Sequence, residues 1–143
     1  MSDMSAASPA PPEPSADRVS APYWEALRNG SLVLQRCSQC HRFQHFPSAI
    51  CGTCLSFDLR FEPVSGQGRV DTFVTIHHVT SPAYADRAPY SVAWVELPEQ
   101  AGLRVLGIVE TEDAATPRIG ADVRLRLVPV SPRLTLPEFV VAS

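Results

Sequence analysis

Cys37, Cys40, Cys51 and Cys54 form two Cys-x-x-Cys pairs separated by ten residues. At this spacing a tight turn aims two thiolates at one point, and four thiolates about 2.3 Å from one ion make a closed tetrahedral site. Disulfides are the alternative chemistry. A two-residue loop would strain each bond and make it a redox centre, which calls for a thioredoxin-like helix start that is not seen here. Among metals, zinc is expected over iron, whose rubredoxin-like sites separate their cysteine pairs by a longer insert. Coordination number then sets the role: a catalytic zinc keeps one position open for water or substrate, and four cysteines leave none. His41 directly follows Cys40, where its backbone is committed to the turn, and His45 lies in the run HRFQHF that crosses between the turns. Both are expected as exposed or supporting side chains, not as ligands. A ribbon of this size has almost no core, so structural zinc, on the order of 10 kcal/mol or more in small modules, must supply its folding energy.

The remaining chemistry-bearing residues form no comparable group. His77 and His78 are adjacent in a predicted strand, so they should face opposite ways, one at the surface and one partly buried. Gly66-Gln67-Gly68 resembles the opening of a nucleotide-binding fingerprint, but it precedes a strand where the fingerprint must follow one, so it is expected as a turn. Glu110, Glu112 and Asp113 are expected in a solvated loop. No Ser-His-Asp arrangement has a motif around it.

The elements that must position the cysteines follow from pattern. Residues 1–17, with Pro9, Pro11, Pro12 and Pro14 among Ala and Ser, read as a disordered tail that cannot bury enough apolar surface to offset its ordering entropy. A short helix is predicted over 18–30, with Ser20 able to cap, Pro22 in the first turn, Tyr23, Trp24 and Leu27 on one side, and Asn29-Gly30 as the stop. Residues 31–60 have the layout of a zinc ribbon: an extended run, SLVLQRC, the two cysteine turns, and a second run, FDLRFEPV. Residues 61–143 hold about five strands, among them YSVAWVEL, LRVLGIVE and DVRLRLVPV. In the last, Val123, Leu125 and Leu127 oppose Asp122, Arg124 and Arg126. The expected fold is mainly β, a short helix and zinc ribbon followed by a five-stranded OB-fold barrel, with a small sandwich as the alternative.

Composition narrows the function classes. The 143 residues are 45% apolar and carry a net charge of -3, with no run near the roughly 20 apolar residues of a membrane span. The N-terminus has no basic region followed by an apolar core, so a cytoplasmic address is expected. Lysine is absent and the arginines are scattered singly, which argues against a phosphate-backbone partner.

In order along the chain, YWEALRNGSLVLQRC, FPSAICGTC, GQGRVDTFVTI, APYSVAWVEL, LRVLGIVE, RIGADVRLRL and LPEF resemble the DUF35 family, acyl-CoA-associated proteins with a rubredoxin-like zinc ribbon and an OB-fold. The resemblance runs from about Tyr23 to the C-terminus. The family often has glycine after the second cysteine and proline after the third, where this chain has His41 and Gly52, and His41 would then strain its knuckle at positive φ. The resemblance implies a non-catalytic accessory subunit in a hetero-oligomer, partnered with a thiolase-like enzyme (thiolase, retro-aldolase or acyltransferase) or a hotdog-fold acyl-CoA hydratase in lipid, steroid or polyketide-type metabolism. It implies acyl-CoA as a ligand, whose phosphates Arg36 and Arg42 could meet. The rival reading is a nucleic-acid-binding zinc-ribbon/OB module, and the third is a self-sufficient thioesterase or aldolase.

Overall fold

The computed structural model describes residues 9–113 and 115–142, so the first eight residues of the expected tail lie outside the described residues. Residues 9–17 carry no helix or strand, and Glu13 meets Arg133 at 3.4 Å. The first helix, α1, spans Ala21–Arg28 with Pro22 in its first turn. Ser20 does not cap it. Its hydroxyl donates to Asp17 Oδ1 (2.8 Å), which also accepts the backbone N–H of Ser20 (2.8 Å) and Val19 (3.1 Å). Those donors, the Ser20 N–H first, hold the Asp17 carboxyl below its usual range. At the other end Gly30 takes φ 89, and the Gly30 and Ser31 N–H groups return to the Leu27 and Ala26 carbonyls, a Schellman closure that glycine makes easy. Tyr23 and Leu27, one turn apart, are buried and Trp24 is half-buried, as the spacing predicts.

Three antiparallel strands make the ribbon sheet: β1 (Val33–Cys37) in the centre, flanked by β2 (Phe43–Gln44) and β3 (Leu59–Pro63). Five more strands follow: β4 (Gln67–Ile76), β5 (Tyr90–Glu96), β6 (Arg104–Glu110), β7 (Asp122–Ser131) and β8 (Leu134–Val141). They pair in the order β4-β5-β6-β8-β7, with β6 and β8 parallel and β7 returning to β4. The sheet closes on itself in the OB strand order, which leaves no room for a sandwich. Alternation sets the interior: Ser91, Ala93 and Val95 point inward from β5, Val105 and Val109 from β6, and Val123 from β7. Gly107 is needed where β6 passes β8, since a Cβ there would come within 2.7 Å of the Pro137 carbonyl oxygen and 3.0 Å of the Phe139 ring.

Ribbon and barrel share one core, in which Tyr23, Leu27, Leu34 and Phe43 join Val70, Val95 and Phe139. A polar clamp adds to it: the Gln100 side chain, in the turn between β5 and β6, accepts the Phe43 N–H (2.9 Å) and donates to the Phe43 carbonyl (3.0 Å). Two expectations change with the fold. β4 stops at Ile76, so His77 and His78 follow the strand and both are exposed. The strand ends because its last partner is Tyr90, beyond which the chain turns into a short 3-10 helix over Pro82–Arg87. No turn forms at Gly66-Gln67-Gly68: Gly66, at φ 73, lies in the irregular link after β3, and Gln67 and Gly68 already belong to β4.

Candidate metal centre and the ion network beside it

Both cysteine pairs are built alike. In the first, the His41 N–H bonds to the Cys37 carbonyl (2.9 Å) and the Gln39 N–H points at the Cys37 Sγ (3.3 Å). In the second, Leu55 N–H meets the Cys51 carbonyl (3.0 Å), while the Thr53 and Cys54 N–H groups point at the Cys51 Sγ (3.4 and 3.5 Å). His41 and Leu55 each take φ 64, so each knuckle places a side-chain-bearing residue in the left-handed region, a cost of roughly 1 kcal/mol apiece. The strain foreseen at His41 is therefore present, and it recurs at Leu55.

β1 delivers Cys37 at its last residue, but the second pair sits at the end of a crossing segment with almost no strand of its own. Two glutamines hold it. Gln35 Oε1 accepts the Ser48 N–H (2.9 Å), Gln35 Nε2 donates to the Ser48 carbonyl (2.9 Å), and Gln44 Nε2 donates to Gln35 Oε1 (2.6 Å). Gln44 Oε1 then accepts the Gly52 N–H (3.0 Å), fastening the second knuckle to the sheet. Sequence reasoning passed over both glutamines. The only available signal was a polar residue within a strand, at Gln35, which is buried.

The four Sγ atoms lie within 4.8 Å of one another, the closest pairs being Cys37–Cys54 at 3.5 Å and Cys40–Cys51 at 3.7 Å. Sulfurs about 2.3 Å from a central ion in a tetrahedron stand about 3.8 Å apart, so the donor set fits a metal of that size. All four cysteines are free of disulfides. The electrostatics point the same way. The N–H groups of Cys54 and Thr53 push the Cys51 thiol down to about 6. At Cys54 the N–H of Ser56 acts in the same sense, but desolvation and the other three sulfurs outweigh it and push the thiol up to about 11. Four sulfurs packed this closely can all ionise together only beside a cation.

Neither histidine joins the sulfurs. His41 is exposed. His45 is half-buried between Tyr23 and Phe46, at ring-centroid distances of 5.0 and 4.4 Å, and burial pushes its pKa down to about 4. It is an aromatic packing residue facing α1, which the HRFQHF pattern did not announce. Of the arginines beside the ribbon, Arg36 is engaged by Glu62 (3.0 Å), the His41 carbonyl (2.7 Å) and the Phe43 ring (4.7 Å). Arg42 is exposed; its carbonyl accepts the Cys37 N–H (3.0 Å), and its side chain has no partner among the described residues.

α1, the His45-Phe46 segment and the barrel enclose a groove of about 300 Å3, walled by Tyr23, Trp24 and Phe46 on one side and Leu106 and Pro137 on the other. Glu138 also lines it, and at 1% exposure it is a buried carboxylate. Arg87, at the end of the 3-10 helix, reaches it at 2.8 and 3.4 Å, and Arg126, its cross-strand partner on β7, at 2.9 Å. Glu110 bridges the same two guanidinium groups at 2.8 and 3.5 Å. Glu110 thus ends β6 inside an ion network, where a solvated loop was expected, because the strand pairing carries it to Val140 beside Glu138. Bonding to Glu138 first of all holds both arginines above their usual range.

A two-knuckle four-cysteine ribbon docked on an OB-type barrel defines a zinc-ribbon/OB-fold protein. The family described as "ChsH2, rubredoxin-like zinc ribbon domain" matches residues 24–60, and "ChsH2, C-terminal OB-fold domain" matches residues 61–128. The chain belongs to this ChsH2, or DUF35, family. It is 35% identical to a solved chain described as "Ltp2-ChsH2(DUF35) aldolase", with a TM-score of 0.81 over 92% of this chain and 100% of that one. It is 36% identical over 130 residues to a "Probable enoyl-CoA hydratase alpha subunit" of Thermomonospora curvata, covering 90% of this chain and 39% of that relative. The chain therefore spans about two fifths of the length of that relative. A DUF35 protein of unknown function from Sulfolobus solfataricus, at 15% identity, TM-score 0.58 and 85% and 83% coverage, shares the fold. Among the described residues, no helix is long and apolar enough to cross a membrane.

Proposed function

We propose that this chain is a non-catalytic accessory subunit that binds or channels acyl-CoA thioesters in complex with a thiolase-like enzyme or a hotdog-fold acyl-CoA hydratase. Cys37, Cys40, Cys51 and Cys54 hold one structural Zn2+ in this reading. The supporting observation is the likeness, across nearly the whole chain, to the ChsH2 chain of an aldolase, joined by the resemblance to a hydratase alpha subunit. The site's chemistry is consistent with it: four sulfurs saturate a tetrahedral ion, leaving it no position for water or thioester, so zinc supplies rigidity and the knuckles stay shaped for a partner.

Co-expression with the products of neighbouring genes, any thiolase-like or hydratase-like enzyme among them, followed by size exclusion, tests the assembly. A stable complex with one of them is expected, and elution alone beside every one of them refutes the reading. Turnover of acyl-CoA by the isolated, zinc-loaded chain would refute the non-catalytic role. Metal analysis should give one zinc per chain in a colourless protein; a red protein absorbing in the visible would make it an iron site.

A further inference from the structure

The middle of the outward side of the first three barrel strands is apolar where a solvated sheet face would be polar, with the charged row Arg69, Glu96 and Arg104 at one end and Glu110 at the other. Register identifies that side. Ala93 and Ser91 of β5 point inward, and Phe73 and Thr75 of β4 lie opposite them, so the residues between face out. On this outer face Val74 lies opposite Val92 and Val92 opposite Ile108; one step along, Thr72 opposes Trp94 and Trp94 opposes Leu106. Antiparallel sheets with one solvated face alternate apolar-in and polar-out, and only Thr72 of these six keeps the rule. Val74 remains 61% exposed and Leu106 41%, whereas Ile108 is buried although it faces outward by register. The ribbon extends the patch, because Phe46, 62% exposed, stands edge-on to Trp94 at 6.4 Å.

We propose that this face is where the acyl-CoA-processing enzyme docks, through an apolar patch of its own surface, an inference that rests on the subunit reading above. Charge selects the partner. Asp71–Arg104 (2.9 Å) and Arg87–Glu110 (3.5 Å) are ion pairs satisfied within the chain, and none of the six outward residues is charged. In OB-folds that take nucleic acid, the face of the second and third strands, here β5 and β6, supplies the contacts, and a phosphate backbone needs free cations there. This face has aromatic and branched apolar side chains without them, and so complements a neutral apolar surface. Backbone pairing is closed at β5, which is hydrogen-bonded on both edges, whereas β4 over Thr72–Ile76 pairs with β5 alone. Around Trp94 the partner lays side chains onto the sheet, with an apolar, aromatic centre inside a polar rim, the usual anatomy of a protein interface.

Val74→Glu and Leu106→Glu test it, with Ile119→Glu as control, because Ile119 is comparably exposed (69%) but sits on the turn before β7. Val74→Ser and Leu106→Gln stand in for either glutamate variant that fails to retain zinc and native circular dichroism. Binding is measured by light scattering and titration against the thiolase-like or hydratase-like enzyme that co-purifies with the unmutated chain. The β4 and β6 variants are expected to bind at least about tenfold more weakly, with Ile119→Glu unchanged. Equal binding by all variants overturns the docking face and leaves the subunit reading standing, whereas no binding by the unmutated chain overturns that reading and this inference with it. Equal loss in Ile119→Glu refutes the face. So does a self-associated chain that the substitutions render monomeric, which would make the occupant a second copy, or oligonucleotide binding that they abolish.

Discussion

Removing Arg87 and Arg126 together should cost far more than the two single removals suggest. Glu138 is 1% exposed and bonded by both guanidinium groups, so either arginine alone can keep its carboxylate paired. Each single alanine variant loses a charge-assisted bond to a partner that stays satisfied, at about 1.5 kcal/mol. The double variant strands a charge in the groove wall, and breaking a buried pair costs about 3–5 kcal/mol. Glu110 adds little, since at 45% exposure water can replace its partners. The expected double-mutant destabilisation is about 5 kcal/mol, with a coupling of about 2 kcal/mol beyond additivity. For a chain of this size an unfolding entropy of roughly 0.3 kcal/mol per degree turns that into losses of about 5 °C for each single and about 15 °C for the double. Urea and thermal unfolding of the zinc-saturated proteins at pH 7 measure it. Adding Glu138→Met to the double variant should restore most of the loss, because no charge is then left buried. Additivity within about 0.5 kcal/mol, or failure of Glu138→Met to rescue, would refute the account.

Strong chelator, or Cys51→Ala, should remove hydrogen-exchange protection from the segment between β1 and β3 while the amides of β5 and β6 stay protected; uniform protection throughout would count against a folding role for the metal. His45 has a folded pKa of about 4 against an ordinary value of 6.5, so its contribution to stability is fully present above about pH 6.5 and is lost as pH falls through about 4. His45→Phe should therefore flatten that part of the stability profile relative to the unmutated chain, and an imidazole titrating near 6.5 by NMR would contradict the burial. Gly107→Ala should destabilise by about 1–3 kcal/mol, since the new methyl meets the Pro137 carbonyl and the Phe139 ring, and an unchanged melting temperature would show that β8 yields there.

Local rules carried the elements whose causes are local. The Asn29-Gly30 stop, the Cys-x-x-Cys knuckles and the alternation of β7 each depend on residues a few positions apart, and each appears where its pattern lies. The misses have two different causes. Ser20 had the right side chain for a cap, but Asp17, only three residues away, takes its hydroxyl, so two local rules competed. His77 and His78 continued a strand-like pattern, but β4 ends where its neighbour does.

The sequence by itself determined the cluster of four thiolates, the ribbon-then-barrel order and the family resemblance, because ligand spacing and strand periodicity are properties of short segments. Only the tertiary structure decided what surrounds them. It brought Arg87, Glu110, Arg126 and Glu138 into one network from four separate elements, placed Gln35 and Gln44 behind the second knuckle, and turned Val74, Val92, Trp94 and Leu106 to the same outer face. Whether an apolar strand residue points into a core or out toward a partner depends on which strands flank it and how the sheet curls, and neither is written within the strand.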